Sequence, residues 1–256
     1  MRIALLHLNL AAGPREKNEK LLLEAVEGAA KEGATVVVTP ETALEGYYFY
    51  ERNKKALGKV PVHDSEEFLP FLRLAKEMGI SIFLSAVEKM PDGRAYNSCF
   101  FLSPHGEERG VHRKMYSPQI GAEEWITLGD RIHLFPVGAI KAGLLVCADV
   151  YYEKPCIAMK EAGADLVFVS AAWPPASCCP DPVAVWRNTS IRCGCPVIVC
   201  NQTGKYEKMD MTIGDSAILS EGKCVFSYHG NPSMILFDCD RKDHRIDFHH
   251  FEVIPC

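Results

Sequence analysis

Three polar side chains of different chemistry each stand at or just past the end of an apolar run that predicts a β-strand. Glu41 follows the run Val36–Thr39, Lys114 closes a second predicted strand and Cys147 closes a third. Loops at strand ends often carry chemistry in α/β proteins, because the sheet holds them rigidly. A thiol needs a base to become a thiolate, and a charged amine can stabilise an oxyanion. The three side chains therefore predict a nucleophilic thiol with a carboxylate base and a cation.

Predicted strands and helices alternate at both ends of the chain, and predicted strands follow one another in pairs in the middle. These elements must position the three side chains. The first 40 residues predict a β-α-β unit, whose helix starts near Pro14 and stops at Gly33. This order predicts sheets covered by helices on one face rather than a simple doubly wound sheet. With no linker or repeat, one domain is expected over residues 1–256. The predicted strands cover 3–10, 36–39, 80–87, 98–102, 110–114, 132–136, 140–147, 166–170 and 197–200, with three more near Ile213, Cys224 and Met234, and the other predicted helices cover 65–79 (with Ser65 as N-cap), 155–162 and 182–192.

Length and composition agree with one large α/β domain and exclude several classes of protein. The chain has 256 residues, of which 48% are hydrophobic, so it can form a core without a metal ion or a disulfide. Lysine and arginine number 28 against 33 aspartate and glutamate residues, a net charge of −5. Because no long run of like charge occurs, neither a nucleic acid nor an anionic membrane is expected as a partner.

The 11 cysteines are scattered without framework spacing, which predicts reduced thiols and a cytoplasmic location. His7 and Asn9 interrupt the first apolar run in the alternating pattern of a strand, which argues against a signal peptide. No apolar run approaches the roughly 20 residues of a membrane span. The sequence also has no nucleotide-binding glycine loop, zinc-protease helix or C-x-x-C pair. No cofactor and no metal are therefore expected.

Three short blocks of sequence around the polar residues resemble the signature blocks of the nitrilase, or carbon–nitrogen hydrolase, superfamily. They are Thr39–Glu41, His112–Lys114 and Leu145–Asp149. The resemblance runs from about residue 2 to residue 230, in the order of the family and at its usual spacing. It implies an α-β-β-α four-layer sandwich, and homodimers that often assemble further. Later segments that resemble the family are 163–166, 171–174, 196–204 and 214–216.

The resemblance implies a role for each residue of the trio. Glu41 corresponds to the general base, Lys114 to the residue that stabilises the oxyanion, and Cys147 to the nucleophile. The backbone N–H of Ala148 is implied as a second donor to the oxyanion. These roles imply hydrolysis of a small-molecule amide to a carboxylic acid and ammonia or an amine, through a thioester on the cysteine.

Further site residues follow from the same resemblance. Many family members carry a second glutamate shortly after the lysine, and the pattern Glu-Trp-x-x-x-Gly favours Glu124, with its neighbour Glu123 as the alternative. Four aromatic side chains are expected to line a substrate pocket, and packing in the core is the alternative for each. These aromatic residues are Tyr47, Tyr48, Tyr151 and Trp173.

The segment Tyr151–Lys154 departs from the family pattern and bears on the substrate. Members that act on carboxylate-bearing amides often have Arg-Phe-Pro-Glu there, and this chain lacks the arginine that would pair with a substrate carboxylate. An amide not anchored in that way is therefore favoured. Hydrolysis of a nitrile or an N-carbamoyl compound, and acyl transfer by the same trio, remain alternatives. A non-enzymatic thiol- or metal-binding protein is a more distant one.

The C-terminal segment, about residues 239–256, is rich in histidine and carries Phe248 and Phe251 without strong periodicity. Such a segment predicts either a loosely attached tail or an arm that binds a partner. Because the resemblance implies a homodimer, our hypothesis for this segment is a dimer arm.

Overall fold

The described chain comprises residues 1–64, 66–177, 179–207, 209–242 and 245–256 of a computed structural model, and strands and helices alternate along most of it. Short 3-10 turns cover Gly121–Glu123, Cys147–Tyr151 and Met211–Ile213. The helices are α1 (Arg15–Lys31), α2 (Phe49–Arg52), α3 (Ala56–Lys59), α4 (Leu69–Met78), α5 (Glu153–Glu161) and α6 (Pro182–Cys193). The strands are β1 (Arg2–His7), β2 (Val36–Val38), β3 (Ser81–Lys89), β4 (Ala95–Leu102), β5 (Glu108–Arg113), β6 (Leu134–Val137), β7 (Ile140–Val146), β8 (Leu166–Ser170), β9 (Val197–Cys200), β10 (Lys205–Tyr206), β11 (Met209–Asp210), β12 (Ser216–Ser220), β13 (Lys223–Tyr228), β14 (Ser233–Lys242) and β15 (Arg245–Pro255).

Two large sheets contain most of the strands. A seven-stranded sheet has the order β15-β14-β1-β2-β3-β4-β5, and a six-stranded sheet has the order β13-β12-β9-β8-β7-β6. Strands β1, β2 and β3 are parallel, as are β7, β8 and β9, whereas the outer strands pair antiparallel. Two neighbouring parallel strands need a crossover connection between them, usually a helix. This need explains why helices alternate with strands at both ends of the chain.

Side-chain alternation along β1 shows how the layers are arranged. Ile3 and Leu5 belong to a buried cluster that also contains the six-stranded sheet's Leu144 and Phe168, so this cluster lies between the two sheets. Ala4 belongs to a second cluster, on the other face of the seven-stranded sheet, which includes residues of α1 and α4. Helices α5 and α6 pack on each other, and α6 contacts strands of the six-stranded sheet. The result is the predicted α-β-β-α sandwich.

Most predicted helices and strands agree with the structure to within a few residues, and the second predicted helix, α4 of the structure, differs at its start. Helix α4 begins at Leu69, and the predicted N-cap Ser65 lies outside the described residues. Its end matches the prediction, because Gly79 takes the left-handed conformation (φ 67°) that commonly closes a helix. None of the described helices combines the length and the apolar composition needed to span a bilayer.

The C-terminal part of the chain differs most from the prediction. Ile213 lies in a 3-10 turn rather than in a strand, and the strand predicted there begins at Ser216. Strand β15 was not predicted at all, yet it pairs with β14 along most of its length and forms the edge of the seven-stranded sheet. Of the two alternatives for this segment, a loosely attached tail or a partner-binding arm, the pairing of β15 with β14 contradicts the loosely attached tail.

Candidate active site

The ends of strands from both sheets bring the three predicted polar residues together. Glu41 lies three positions after β2, and Lys114 directly follows β5, both in the seven-stranded sheet. Cys147 directly follows β7 in the six-stranded sheet. The side chains meet where these strand ends face each other across the core, and all three residues are buried.

A buried ion pair forms the centre of the site. The Nζ atom of Lys114 lies 2.7 Å from Oε1 of Glu41 and also donates a hydrogen bond to Oε1 of Glu123. One ammonium thus lies between two carboxylates in a region closed to solvent, where charge pairs interact much more strongly than in water. The geometry keeps the lysine side chain fixed and charged.

Three uncharged groups hold Glu41 in place. The Nδ2 atom of Asn97 donates to Oε1 at 2.7 Å, and the backbone N–H of Ala172 donates to Oε2 at 3.0 Å. The Nε2 atom of Gln202 donates to the backbone carbonyl of Glu41 at 2.5 Å. Neither Asn97 nor Gln202 is among the site residues that the sequence predicts. Gln202 stands in the segment 196–204 that resembles the family, whereas nothing in the sequence distinguished Asn97 from its strand neighbours.

Burial and the charges around Cys147 together set the pKa of its thiol. Burial raises the pKa of the Cys147 thiol well above its usual value; the Glu41 carboxylate raises it further, and Lys114 acts in the opposite direction. Burial also raises the pKa of Glu41, which Lys114 partly offsets. For Lys114 itself burial alone would lower the pKa, but Glu41 and Glu123 outweigh burial and raise it well above normal. These directions favour a protonated thiol and a charged lysine in the resting site.

The backbone at Cys147 is unusual. Its φ angle is 44°, in the left-handed region that few residues other than glycine adopt. Strained backbone conformations of this kind cluster at functional sites, where the surrounding structure holds them. Ala148, the predicted second oxyanion donor, follows Cys147 in the 3-10 turn Cys147–Tyr151. The turn is held by Asp149, whose Oδ2 accepts a hydrogen bond from the backbone N–H of Val146 at 3.0 Å.

Of the two adjacent glutamates, the structure places Glu123, the alternative, against Lys114 and places the favoured Glu124 on the surface. The Glu123 side chain is only 5% exposed and contacts Lys114, and its other oxygen accepts a hydrogen bond from Ser117. Glu124 is 41% exposed and pairs with Lys54 on the surface at 2.6 Å. The two residues belong to one 3-10 turn and its cap. Because successive residues of a 3-10 turn point about 120° apart, only one of them can face the site.

Comparison with known proteins identifies the family of this chain. The sequence model of the carbon–nitrogen hydrolase family matches residues 2–242. The chain belongs to the carbon–nitrogen hydrolase family. It is 28% identical over 173 residues to a nitrilase of Pyrococcus abyssi, a match that covers 65% of this chain and 63% of that protein. In four curated relatives the matched part spans 26%, 63%, 45% and 52% of their length.

Solved structures of the superfamily share the fold of this carbon–nitrogen hydrolase family member. Saccharomyces cerevisiae Nit3, described as a member of branch 10 of the nitrilase superfamily, superposes with a TM-score of 0.79 at 19% identity, covering 92% of this chain and 88% of that one. An amidase from Nesterenkonia sp. superposes with a TM-score of 0.74 at 22% identity, covering 92% and 89%. The four-layer sandwich is therefore that of the nitrilase superfamily.

The four predicted pocket aromatics occupy different places in the family fold. The hydroxyl of Tyr47 lies 3.4 Å from Oε1 of Glu123, which puts this ring beside the site. Trp173 follows Ala172, the donor to Glu41, and its ring packs at 4.8 Å against the partly exposed Tyr151. The fourth, Tyr48, is buried and stacks on Tyr206 with ring centroids 4.1 Å apart. Tyr47 thus contacts Glu123 of the site, and Trp173 is the chain neighbour of a residue that donates to Glu41, whereas Tyr48 packs as a core side chain.

Proposed function

We propose that this member of the carbon–nitrogen hydrolase family hydrolyses small-molecule amides with Cys147 as nucleophile. The observation that carries the proposal is the buried Lys114 ammonium between the Glu41 and Glu123 carboxylates, next to a buried thiol. A base, a cation and a nucleophile in contact are the parts that acyl transfer through a covalent intermediate requires. The nitrilase fold and family membership support the same reaction class.

The first chemical step is attack on the amide carbon. Glu41 takes the proton from the Cys147 thiol while the sulfur forms a bond to the carbonyl carbon. Negative charge then gathers on the substrate oxygen, and the Lys114 ammonium and the Ala148 N–H stabilise it. Lys114 keeps its protons throughout, because the two flanking carboxylates hold its pKa high.

The second step releases the amine and the third releases the acid. The tetrahedral intermediate collapses when Glu41 gives its proton to the leaving nitrogen, since such groups leave poorly unprotonated. A thioester remains on Cys147. Glu41, again ionised, accepts a proton from water as the water attacks the thioester, and the carboxylic acid departs with the thiol restored. Burial that raises the pKa of Glu41 suits a carboxyl that must both accept and donate a proton.

The neighbourhood of Cys147 favours an amide that carries no carboxylate at the position the family arginine would bind. In the segment Tyr151–Lys154 a tyrosine stands where carboxylate-binding members have arginine. Tyr151 offers a ring that packs against Trp173 at an interplanar angle of 41° rather than a fixed cation. A neutral hydroxyl can pair with a neutral amide but cannot replace a bidentate charge pair.

Ammonia release tests the proposal directly. Wild type, Cys147→Ala and the control Cys256→Ala, which removes an exposed cysteine elsewhere, are compared on propionamide, benzamide, succinamate and the matching nitriles. We expect release by wild type and the control alone, with neutral amides preferred over succinamate by about tenfold or more in kcat/KM. Equal release by Cys147→Ala would contradict the mechanism. A preference for nitriles would keep the nucleophile but replace the substrate class.

Assembly and location complete the proposal. We infer a homodimer or larger homo-oligomer, with β15 as the dimer arm, because this strand forms a sheet edge and exposes Val253. If so, Val253→Lys should lower the sedimentation coefficient to that of a monomer while the circular dichroism spectrum stays unchanged. An unchanged sedimentation coefficient would contradict the proposal that β15 is a dimer arm.

We also infer a cytoplasmic location, since the ten described cysteines are all free thiols.

A further inference from the structure

A group of metal-ligating side chains lies on the β14–β15 hairpin, apart from the proposed active site. Asp238, His249 and His250 each place one ligand atom within 4.8 Å of the others. The Oδ2 atom of Asp238 lies 2.8 Å from Nδ1 of His250. The first two residues are half-buried and His250 is exposed, so a cation from solvent can reach the group.

An irregularity in the strand explains why two consecutive histidines converge. Successive side chains of a regular strand point to opposite faces of the sheet. Here His249 pairs with Asp238 and Glu252 pairs with Leu236, so two residues of β15 stand opposite one residue of β14. His250 is one of those two, and its φ angle is 54°. A bulge of this kind re-aims a side chain, and it brings both imidazoles to the Asp238 side.

Charged neighbours orient the Asp238 carboxylate and the His249 ring. Nη1 of Arg2 lies 3.6 Å from Oδ1 of Asp238, which leaves Oδ2 directed toward the histidines. Asp240, on the same face two residues along β14, has its Oδ2 3.5 Å from Nε2 of His249. Partners that hold a ligating group in place are a usual feature of metal sites. The arrangement thus resembles a prepared ligand set rather than two unrelated surface ion pairs.

We propose that Asp238, His249 and His250 bind a Zn²⁺ ion that joins β14 to β15. Two imidazoles and one carboxylate are ligands that zinc prefers, at about 2.0–2.2 Å, and water completes a tetrahedral site. The bound ion takes the place of the proton between Nδ1 of His250 and Oδ2 of Asp238, which is released to water, and these two atoms move apart by about a few tenths of an ångström. The ion fastens the last strand of the sheet across the bulge.

Calorimetric titration with zinc chloride tests the site. The protein is prepared without a histidine tag and treated with a chelator, and wild type is compared with His249→Ala, His250→Ala and His229→Ala. The last is a matched control, because His229 is an exposed histidine 3.3 Å from Asp215 on another part of the surface. We expect one Zn²⁺ per chain for wild type and the control. Loss of either ligand should weaken the affinity by about tenfold or more.

Two results would overturn the proposal. One is the absence of saturable zinc binding by wild type. The other is an equal loss of affinity in all three variants, or in none of them, because the site would then lie elsewhere. Circular dichroism and melting of each variant without zinc show whether it is folded. As a second variant set, Asp238→Asn removes the carboxylate charge while keeping its shape, and it should weaken zinc binding in the same way.

Discussion

The Nε2 atom of His112 lies 2.9 Å from Oδ2 of Asp149, and both side chains are fully buried. The other oxygen of Asp149 accepts hydrogen bonds from the backbone N–H groups of Met115 and Tyr116, at 2.8 and 2.9 Å. Asp149 therefore joins the end of β5, which carries the lysine, to the turn after β7, which carries the cysteine. The Asp149 carboxylate thus holds the segment that contains Lys114 next to the segment that contains Cys147.

Removal of this carboxylate should damage both stability and activity. Asp149→Ala leaves several buried donors without a partner, so we expect the free energy of unfolding to fall by about 3 kcal/mol or more. Amide hydrolysis should fall with it, because Lys114 and Cys147 lose their common support. Urea titration measures the first effect. Asp130→Ala, at a side chain that is 84% exposed, is the control and should change stability by no more than about 0.5 kcal/mol.

The two adjacent glutamates should respond very differently to the same substitution. Glu123→Gln removes a carboxylate that contacts Lys114, and we expect kcat for amide hydrolysis to fall by about 100-fold or more. Glu124→Gln breaks only an exposed ion pair with Lys54 and should leave kcat within about twofold of wild type. Steady-state ammonia release from both variants decides the matter. A large loss in Glu124→Gln with an active Glu123→Gln would contradict the assignment.

Loss of the buried ammonium should cost stability in a pH-dependent way. Lys114→Met leaves the carboxylates of Glu41 and Glu123 buried together, which we expect to destabilise the fold by about 3–5 kcal/mol at neutral pH. Without the cation, burial and the nearby Glu123 carboxylate, which both raise the pKa of Glu41 above the usual value near 4.5, are no longer offset by Lys114. The folded state then binds more protons than the unfolded state, so stability recovers as the pH falls toward that value. Unfolding at about pH 8 and pH 5 tests this; a deficit that grows on acidification would refute it.

His7 should make the fold sensitive to acid. Burial lowers the pKa of this imidazole to about 4 from 6.5, and the ring lies 2.9 Å from Oγ of Ser216. Between these pH values the unfolded chain binds a proton that the folded chain does not. Stability that is fully present above pH 6.5 is therefore lost as the pH falls, by about 2 kcal/mol between pH 7 and pH 5.

The substitution His7→Gln isolates this contribution. The variant keeps a polar side chain of similar size but has no group that titrates in this range. Its free energy of unfolding should fall less between pH 7 and pH 5 than that of wild type, by the same amount of about 2 kcal/mol. Equal pH dependence of the two proteins would assign the acid sensitivity to other groups.

Local sequence predicted most of the strands and helices and showed that the three polar residues stand at strand ends. Apolar runs such as 166–170 predict buried strands, and Gly79 ends α4 because a left-handed residue was needed there. Glu41 and Cys147 stand directly after such runs, where the sheet positions side chains for chemistry. Strand β15 escaped prediction because its pattern is irregular: the bulge at His250 breaks the alternation that identifies a strand.

The sequence by itself determined which chemical groups this protein has at its strand ends, and therefore the reaction class to be proposed. Only the tertiary structure decided which groups act together. It places Glu123 rather than Glu124 against Lys114 and places Asn97 against Glu41. It also places Asp149 between the end of β5 and the turn after β7. The physical reason is the distance along the chain over which each signal acts. Periodicity along the chain is a local signal that indicates which face of a helix or strand is buried. The contact of Asn97 with Glu41 joins residues 56 positions apart and that of His112 with Asp149 joins residues 37 positions apart. Such contacts depend on how strands and sheets pack, which is a property of the whole fold.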